Sequence, residues 1–300
     1  MLLRRRWKLG IFALVLAPLL YWLLSPLADP RFRIVDDQAK LAAKQAFLSA
    51  QAQAYARVRQ GAPAPGRRPN IVLILADDLG KTDISMYGSR LIRTPNIDSI
   101  GQNGATFSEG YITSPICSPS RAGLLTGRYQ QRFGFELIVH ERYPRNRLEY
   151  LVFKHVLARR GDWKVADEMV TPEFDQILKQ GLPPSEITVA ELLKASGYST
   201  AIMGKWHLGA NAASIPLHRG FDYHYGFYGA QTLYARTDHP EIVNQHGDDF
   251  SDKFMWSRHG ENCVLRRNDE PVDEELYLTT KIAHESSQWI LQHKNDPFFL

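Results

Sequence analysis

Apolar and polar positions change their pattern three times along the chain. Residues 9–28, LGIFALVLAPLLYWLLSPLA, form one uncharged block behind RRRWK, close to the ~20 residues that cross a bilayer. Basic residues on the N-terminal side place that end in the cytoplasm and send the remainder outward. No clean small-x-small site precedes Asp29, which favours a retained anchor over a cleaved signal peptide. Residues 1–28 are therefore expected to be a membrane anchor or signal segment, with the folded part periplasmic, extracellular or lumenal.

The next stretch, DDQAKLAAKQAFLSAQAQAYARVRQ, is rich in Ala, Gln and Lys. It predicts a helical stalk capped by Asp36 or Asp37, and GAPAPGRRP follows as a Pro/Gly linker. Residues 29–68 thus read as stalk and linker, and residues 69–300 as the globular domain.

Inside the domain the pattern alternates. The continuous apolar run Ile71–Leu75 predicts a strand buried on both faces. TPNIDSIGQNG predicts a helix with Thr94 as N-cap, Pro95 at the first helical position and Gly104 past the end. ITVAELLKASGYSTAIMGKWHLG sets Thr188 three residues before Glu191, a capping box, with Gly197 closing the helix and Tyr198–Met203 forming a strand. LYLTTKIAHESSQWILQHK predicts a last helix and PFFL a last strand. Alternating strands and helices give an α/β domain with a mostly parallel sheet flanked by helices. Ligands in such sheets sit beyond the carboxyl ends of the strands. Asp77 and Asp78 follow one strand, and Lys205 and His207 follow another, so two charged clusters are expected on one edge.

Composition narrows the function. Hydrophobic residues make up 44% of the 300, enough for one large core. The net charge of +4 comes from the first eight residues, where Arg4, Arg5, Arg6 and Lys8 lie; without these four the 36 basic residues fall to 32, equal to the 32 acidic ones. A neutral body removes the main support for nucleic-acid binding. Export would permit a disulfide between the two cysteines, Cys117 and Cys263, although the surroundings of Cys117 suggest another use.

Three short segments carry chemistry. Adjacent carboxylates at the end of a buried strand repel and lose hydration unless a hard cation or several donors compensate, so Asp77-Asp78 reads as a metal site or as turn capping. CSPSRAGLLTG predicts a short helix with Ser118 as N-cap, Pro119 at the first position and Gly127 at the end. Cys117 then sits at a helix N-terminus that favours an oxyanion, and Arg121 adds a bidentate clamp. In isolation, a structural cysteine beside a cap fits equally. Lys205 and His207 alternate along an extended backbone, facing one side while Trp206 faces the core, and a cation beside a titratable base suits anion chemistry.

Together these segments resemble the sulfatase family. CSPSRAGLLTG resembles the signature whose cysteine is oxidised to Cα-formylglycine, and GYSTAIMGKWHLG is similar to the second signature. PNIVLILADDLG, TPNIDSIGQNGATFSEGY and RGFDYHYGF also look like sulfatase segments in the expected order. The resemblance runs from Pro69 to Leu300 and implies an alkaline-phosphatase-like fold and hydrolysis of sulfate esters. It implies that Asp77, Asp78 and the modified Cys117 face one calcium ion, that Arg121 and Lys205 hold the aldehyde hydrate and the sulfate, and that His207 assists proton removal. One hydroxyl of the hydrate attacks sulfur, and the other then loses its proton so that sulfate leaves and the aldehyde returns; a serine has no second hydroxyl for that exit. The implied partners are a formylglycine-generating or sulfatase-maturing enzyme and a sulfated small molecule or glycan.

The family normally supplies further metal ligands and a further His and Lys after the PFFL strand, so the expectation is a fragment truncated before the C-terminal part, binding metal weakly and inactive alone. A phosphonate or phosphate monoester hydrolase of the same fold, or a non-catalytic anion-binding relative, are the alternatives. The segment between Arg132 and Pro183 reads either as a substrate-cleft lining or as a surface excursion. His218, Arg219, Asp222 and Tyr225 are weaker pocket candidates.

Overall fold

The structure is a computed structural model that describes residues 16–25, 36–61, 68–139, 147–152, 179–236, 239–241 and 263–300. Of the apolar N-terminal block, residues 16–24 form helix α1, while residues 1–15 and 26–28 lie outside the described residues. Among the described residues no helix is long and apolar enough to cross a membrane.

The Ala/Gln-rich stretch folds as α2, Gln38–Gly61, and lies against the domain. After it come α3 (Pro95–Gln102), α4 (Cys117–Thr126), α5 (Arg147–Val152) and α6 (Val189–Ala195). Thr94 and Thr188 occupy the N-cap positions of α3 and α6. The capping box forms as the sequence predicts: Glu191 N–H donates to Thr188 Oγ1 at 3.1 Å, and Thr188 N–H donates to Glu191 Oε2 at 2.8 Å. At Thr94 the hydroxyl instead donates to Asp98 Oδ1 at 2.9 Å. Of the long segment between Arg132 and Pro183, residues 140–146 and 153–178 lie outside the described residues.

The centre of the sheet is β1 (Ser199–Lys205), parallel on one side to β2 (Tyr223–Phe227) and on the other to β5 (Phe298–Phe299). A short antiparallel hairpin, β3 (Arg266–Arg267) and β4 (Glu270–Pro271), extends the β2 side, giving the order β4-β3-β2-β1-β5. Helix α7 (Leu278–His293) leads into β5. Side chains alternate across β1. Ile202 joins a core of Ala122, Leu125, Ala190, Trp206 and Phe221 on the α4 and α6 face, while Ala201 packs with Trp289 and Phe298 on the α7 face. Helices on both faces of a parallel centre make an α/β architecture, in keeping with the alkaline-phosphatase-like fold that the resemblance implies.

The first predicted strand is a correction. Its backbone is extended beside β5, with Ile71 N–H donating to Phe298 O at 2.8 Å and Leu73 N–H to Leu300 O at 2.7 Å. Yet Val72, Leu73, Ile74 and Leu75 are 44% to 77% exposed. The run takes the outer side of β5, and no described element covers it, so apolar continuity here does not mean burial on both faces.

Candidate functional site

The carboxyl edge of the sheet gathers the predicted chemistry. Asp77, Asp78 and Cys117 each offer a ligand atom, and these atoms lie within 4.8 Å of one another. Asp77 is also the hub of two ion pairs. Arg121 Nη2 donates to its Oδ1 at 3.0 Å, and Lys205 Nζ donates to its Oδ2 at 2.9 Å. Arg121 Nη1 donates further to the carbonyl of Lys205 at 2.9 Å, tying α4 to the end of β1. Both cations are nearly buried, at 11% exposure, whereas Asp77 is 44% exposed. Burial alone would raise the Asp77 carboxyl, but hydrogen bonds from Lys205 and Arg121 outweigh it and hold the group below the usual carboxylate range.

Helix α4 begins two residues earlier than the sequence suggests. Ile116 is the extended N-cap residue and Cys117 the first helical one, with Ser120 N–H closing the first turn onto Ile116 O at 3.0 Å. Ser118 does not cap. Its buried hydroxyl accepts from Val139 N–H at 3.3 Å. Gly127, left-handed at φ 64°, ends the helix as expected. Gly123 is required by close approach, because a Cβ there would lie 2.2 Å from Thr113 Oγ1. Cys117 and Cys263 are not joined in a disulfide.

His207 departs from the extended backbone that the sequence implies, with φ 56°. Its N–H donates to Tyr228 O at 3.0 Å, holding the chain across the ends of β1 and β2. The ring is 2% exposed, and among the described residues the Val139 backbone is the hydrogen-bonding group that favours a proton on it. Burial first, then the charges of Lys205 and Arg121, push its pKa down to about 4, so the imidazole is neutral near pH 7. Asp78 is likewise left-handed, at φ 55°. Two non-glycine residues with positive φ thus flank the cluster, the kind of backbone strain that collects at functional sites. Trp206 faces the core, donating from Nε1 to Ser214 O at 2.8 Å.

The weaker candidates have structural duties. Arg219, 1% exposed, donates to the carbonyls of Leu182, Pro183 and Glu186. Asp222 accepts from the Thr200 hydroxyl, and Tyr225 donates to Glu274. His218 pairs with the Ala212 carbonyl. Sequence reasoning missed Tyr234, whose hydroxyl is raised by burial and by the negative charge of Asp77. Its position near the cluster comes from a loop, and only the three-dimensional path of residues 228–234 reveals it.

Residues 69–300 match the family model described as Sulfatase. The chain is 41% identical over 165 residues to human steryl-sulfatase, covering 53% of this chain and 23% of that protein. It is 37% identical over 199 residues to human N-acetylgalactosamine-6-sulfatase, covering 63% and 32%. The crystal structure of Ps i-CgsB in complex with k-i-k-neocarrahexaose is 29% identical, with a TM-score of 0.55 over 78% of this chain and 44% of that one. The chain therefore spans between about a quarter and a third of the curated relatives' length.

Proposed function

The chain belongs to the sulfatase family, and on that premise we propose that its site hydrolyses sulfate esters, using a formylglycine made from Cys117 beside a divalent cation. The observation that carries this reading is the convergence of Cys117, Asp77 and Asp78 within 4.8 Å, with Arg121 and Lys205 locked onto the same carboxylate.

Two carboxylates suit a hard, oxygen-preferring ion such as calcium, magnesium or manganese, and the family resemblance makes calcium the one proposed. Asp77, Asp78 and residue 117 would hold it. When bound, such a cation supplies positive charge that stabilises oxygen anions. An aldehyde at residue 117 presents, as its hydrate, two hydroxyls in place of a thiol. Arg121 and Lys205 supply the donors for an anion with tetrahedral oxygens, and α4 adds its N-terminal N–H groups at the same place. His207 is neutral at pH 7, so either ring nitrogen that lacks a proton can accept one. The proposed substrate is a sulfated glycan or a sulfated small molecule, and the proposed partner is the enzyme that matures Cys117. Residues 1–28 act as the anchor that exports the domain and holds it at the membrane.

The reading is tested by binding to the full-length protein. Nuclear magnetic resonance titration with phenyl sulfate and phenylphosphonate should show the sulfate preferred. Arg121→Gln should weaken the sulfate by about tenfold or more, the worth of a charge-assisted hydrogen bond. Preference for the phosphonate would transfer the site to phosphonate or phosphate ester chemistry.

A further inference from the structure

An aromatic pair stands beside the anion cluster. Residues 228–234 leave the carboxyl end of β2, next to the point where Lys205–His207 leave β1, and the two exits are joined by Trp206 N–H to Phe227 O and His207 N–H to Tyr228 O, both 3.0 Å. Helix α7 runs back toward the start of the parallel strand β5, so its N-terminus lies at this same carboxyl edge. Leu278 N–H at that N-terminus donates to Tyr234 O at 2.8 Å, which docks the helix start onto the loop.

This docking brings the rings of Tyr234 and Tyr277 to 5.9 Å between centroids, tilted at 55°. Both remain open to solvent, Tyr234 at 38% and Tyr277 at 52%, although Leu278, Tyr225 and Tyr228 around them are buried. The Tyr234 hydroxyl is near enough to feel the charges of both Asp77 and Arg121. Two half-exposed aromatic rings thus stand beside the charged cluster. A tyrosine face offers a large apolar surface at low entropic cost, suited to stacking on a ring.

We propose that Tyr234 and Tyr277 form an aromatic wall that packs against the ring bearing the sulfate ester, making them specificity-determining residues for cyclic sulfates. The proposal rests on the sulfate-ester reading above. The shared chemistry is a six-membered ring with an apolar face, which an aryl group or a pyranose supplies.

The test uses the full-length protein and three probes titrated by nuclear magnetic resonance: methyl sulfate without a ring, phenyl sulfate with an aromatic ring, and galactose 6-sulfate with a sugar ring. Tyr234→Ala and Tyr277→Ala should each weaken at least one ring-bearing sulfate by about three- to tenfold, the range expected for an aromatic stacking contact, and leave methyl sulfate unchanged. Tyr234→Phe, which keeps the face, should bind like the wild type. Which ring-bearing probe loses more identifies the ring. Unchanged binding of both ring-bearing sulfates, or equal losses across all three probes in proteins with wild-type melting curves, would overturn the proposal. Failure of the wild-type protein to bind any of the three would instead sink the sulfate-ester reading, and the aromatic wall with it.

Discussion

Individual side chains at the site are placed where charge and burial conflict. His207 is buried beside two cations with its pKa near 4, and His224, fully buried and stacked on Tyr228 at 5.2 Å, is also pushed down to about 4, mainly by burial. Both folded-state values lie below the ordinary 6.5. Below that pH the unfolded chain therefore takes up protons that the folded chain refuses, so stability falls as pH drops from about 6.5 to about 4 and is flat above 7. Each histidine contributes up to about 3 kcal/mol to this loss. Urea unfolding between pH 7.5 and 4.5 should show the decline, and His224→Phe should make it shallower; an identical slope in the variant would refute the linkage. Residue identity announced much of this site. The common placement of Asp77, Asp78, Cys117, Arg121, Lys205 and His207 is legible because strand ends and a helix start fix their side of the sheet, while their roles belong to the proposed function. The direct pairing of Asp77 with both cations is not legible, because separations of 44 and 128 positions carry no local pattern.

At the scale of elements, α2 is the clearest departure from a free-standing stalk. Lys44, 8% exposed, reaches across to α6, donating to Glu191 Oε1 at 2.6 Å and to the carbonyls of Pro184 and Glu186 at 2.7 and 2.8 Å. Glu191 also lies 3.5 Å from Arg219 Nε. Beyond the helix, the Arg68 guanidinium lies over the rings of Tyr55 and Tyr198 at 4.6 and 5.0 Å. The left-handed Gly197, at φ 79°, leaves room for Tyr55, which a Cβ would approach to 2.1 Å. The α2 composition predicted the helix, but a lysine among alanines does not show that it will be buried; its carboxylate partner is 147 residues away. Losing the ammonium leaves Glu191 with Arg219 and the Thr188 N–H, but takes its shortest partner and the donor to two carbonyls. Lys44→Met should therefore cost about 1–3 kcal/mol in urea unfolding. A cost within error of zero would mean that α2 is only loosely applied to the domain.

The described residues build a mixed sheet whose parallel centre delivers charged residues to its carboxyl edge, with an apolar run beside β5. Helix alternation made the architecture readable, and the two signatures made the family readable. The exposure of Val72–Leu75 was not, since a β-rich apolar run specifies a strand and not its neighbours. The segments that match the family converge on one residue whose chemistry decides the account. On the proposed reading, Cys117 is an aldehyde precursor and not a resting thiol. Peptide mass spectrometry of the full-length protein, co-expressed with a formylglycine-generating enzyme, reads this directly. The account predicts that the peptide containing Cys117 carries an aldehyde that reacts with a hydrazine probe, with Cys263 unmodified. A thiol persisting at Cys117 under conditions that convert a control sulfatase would contradict it.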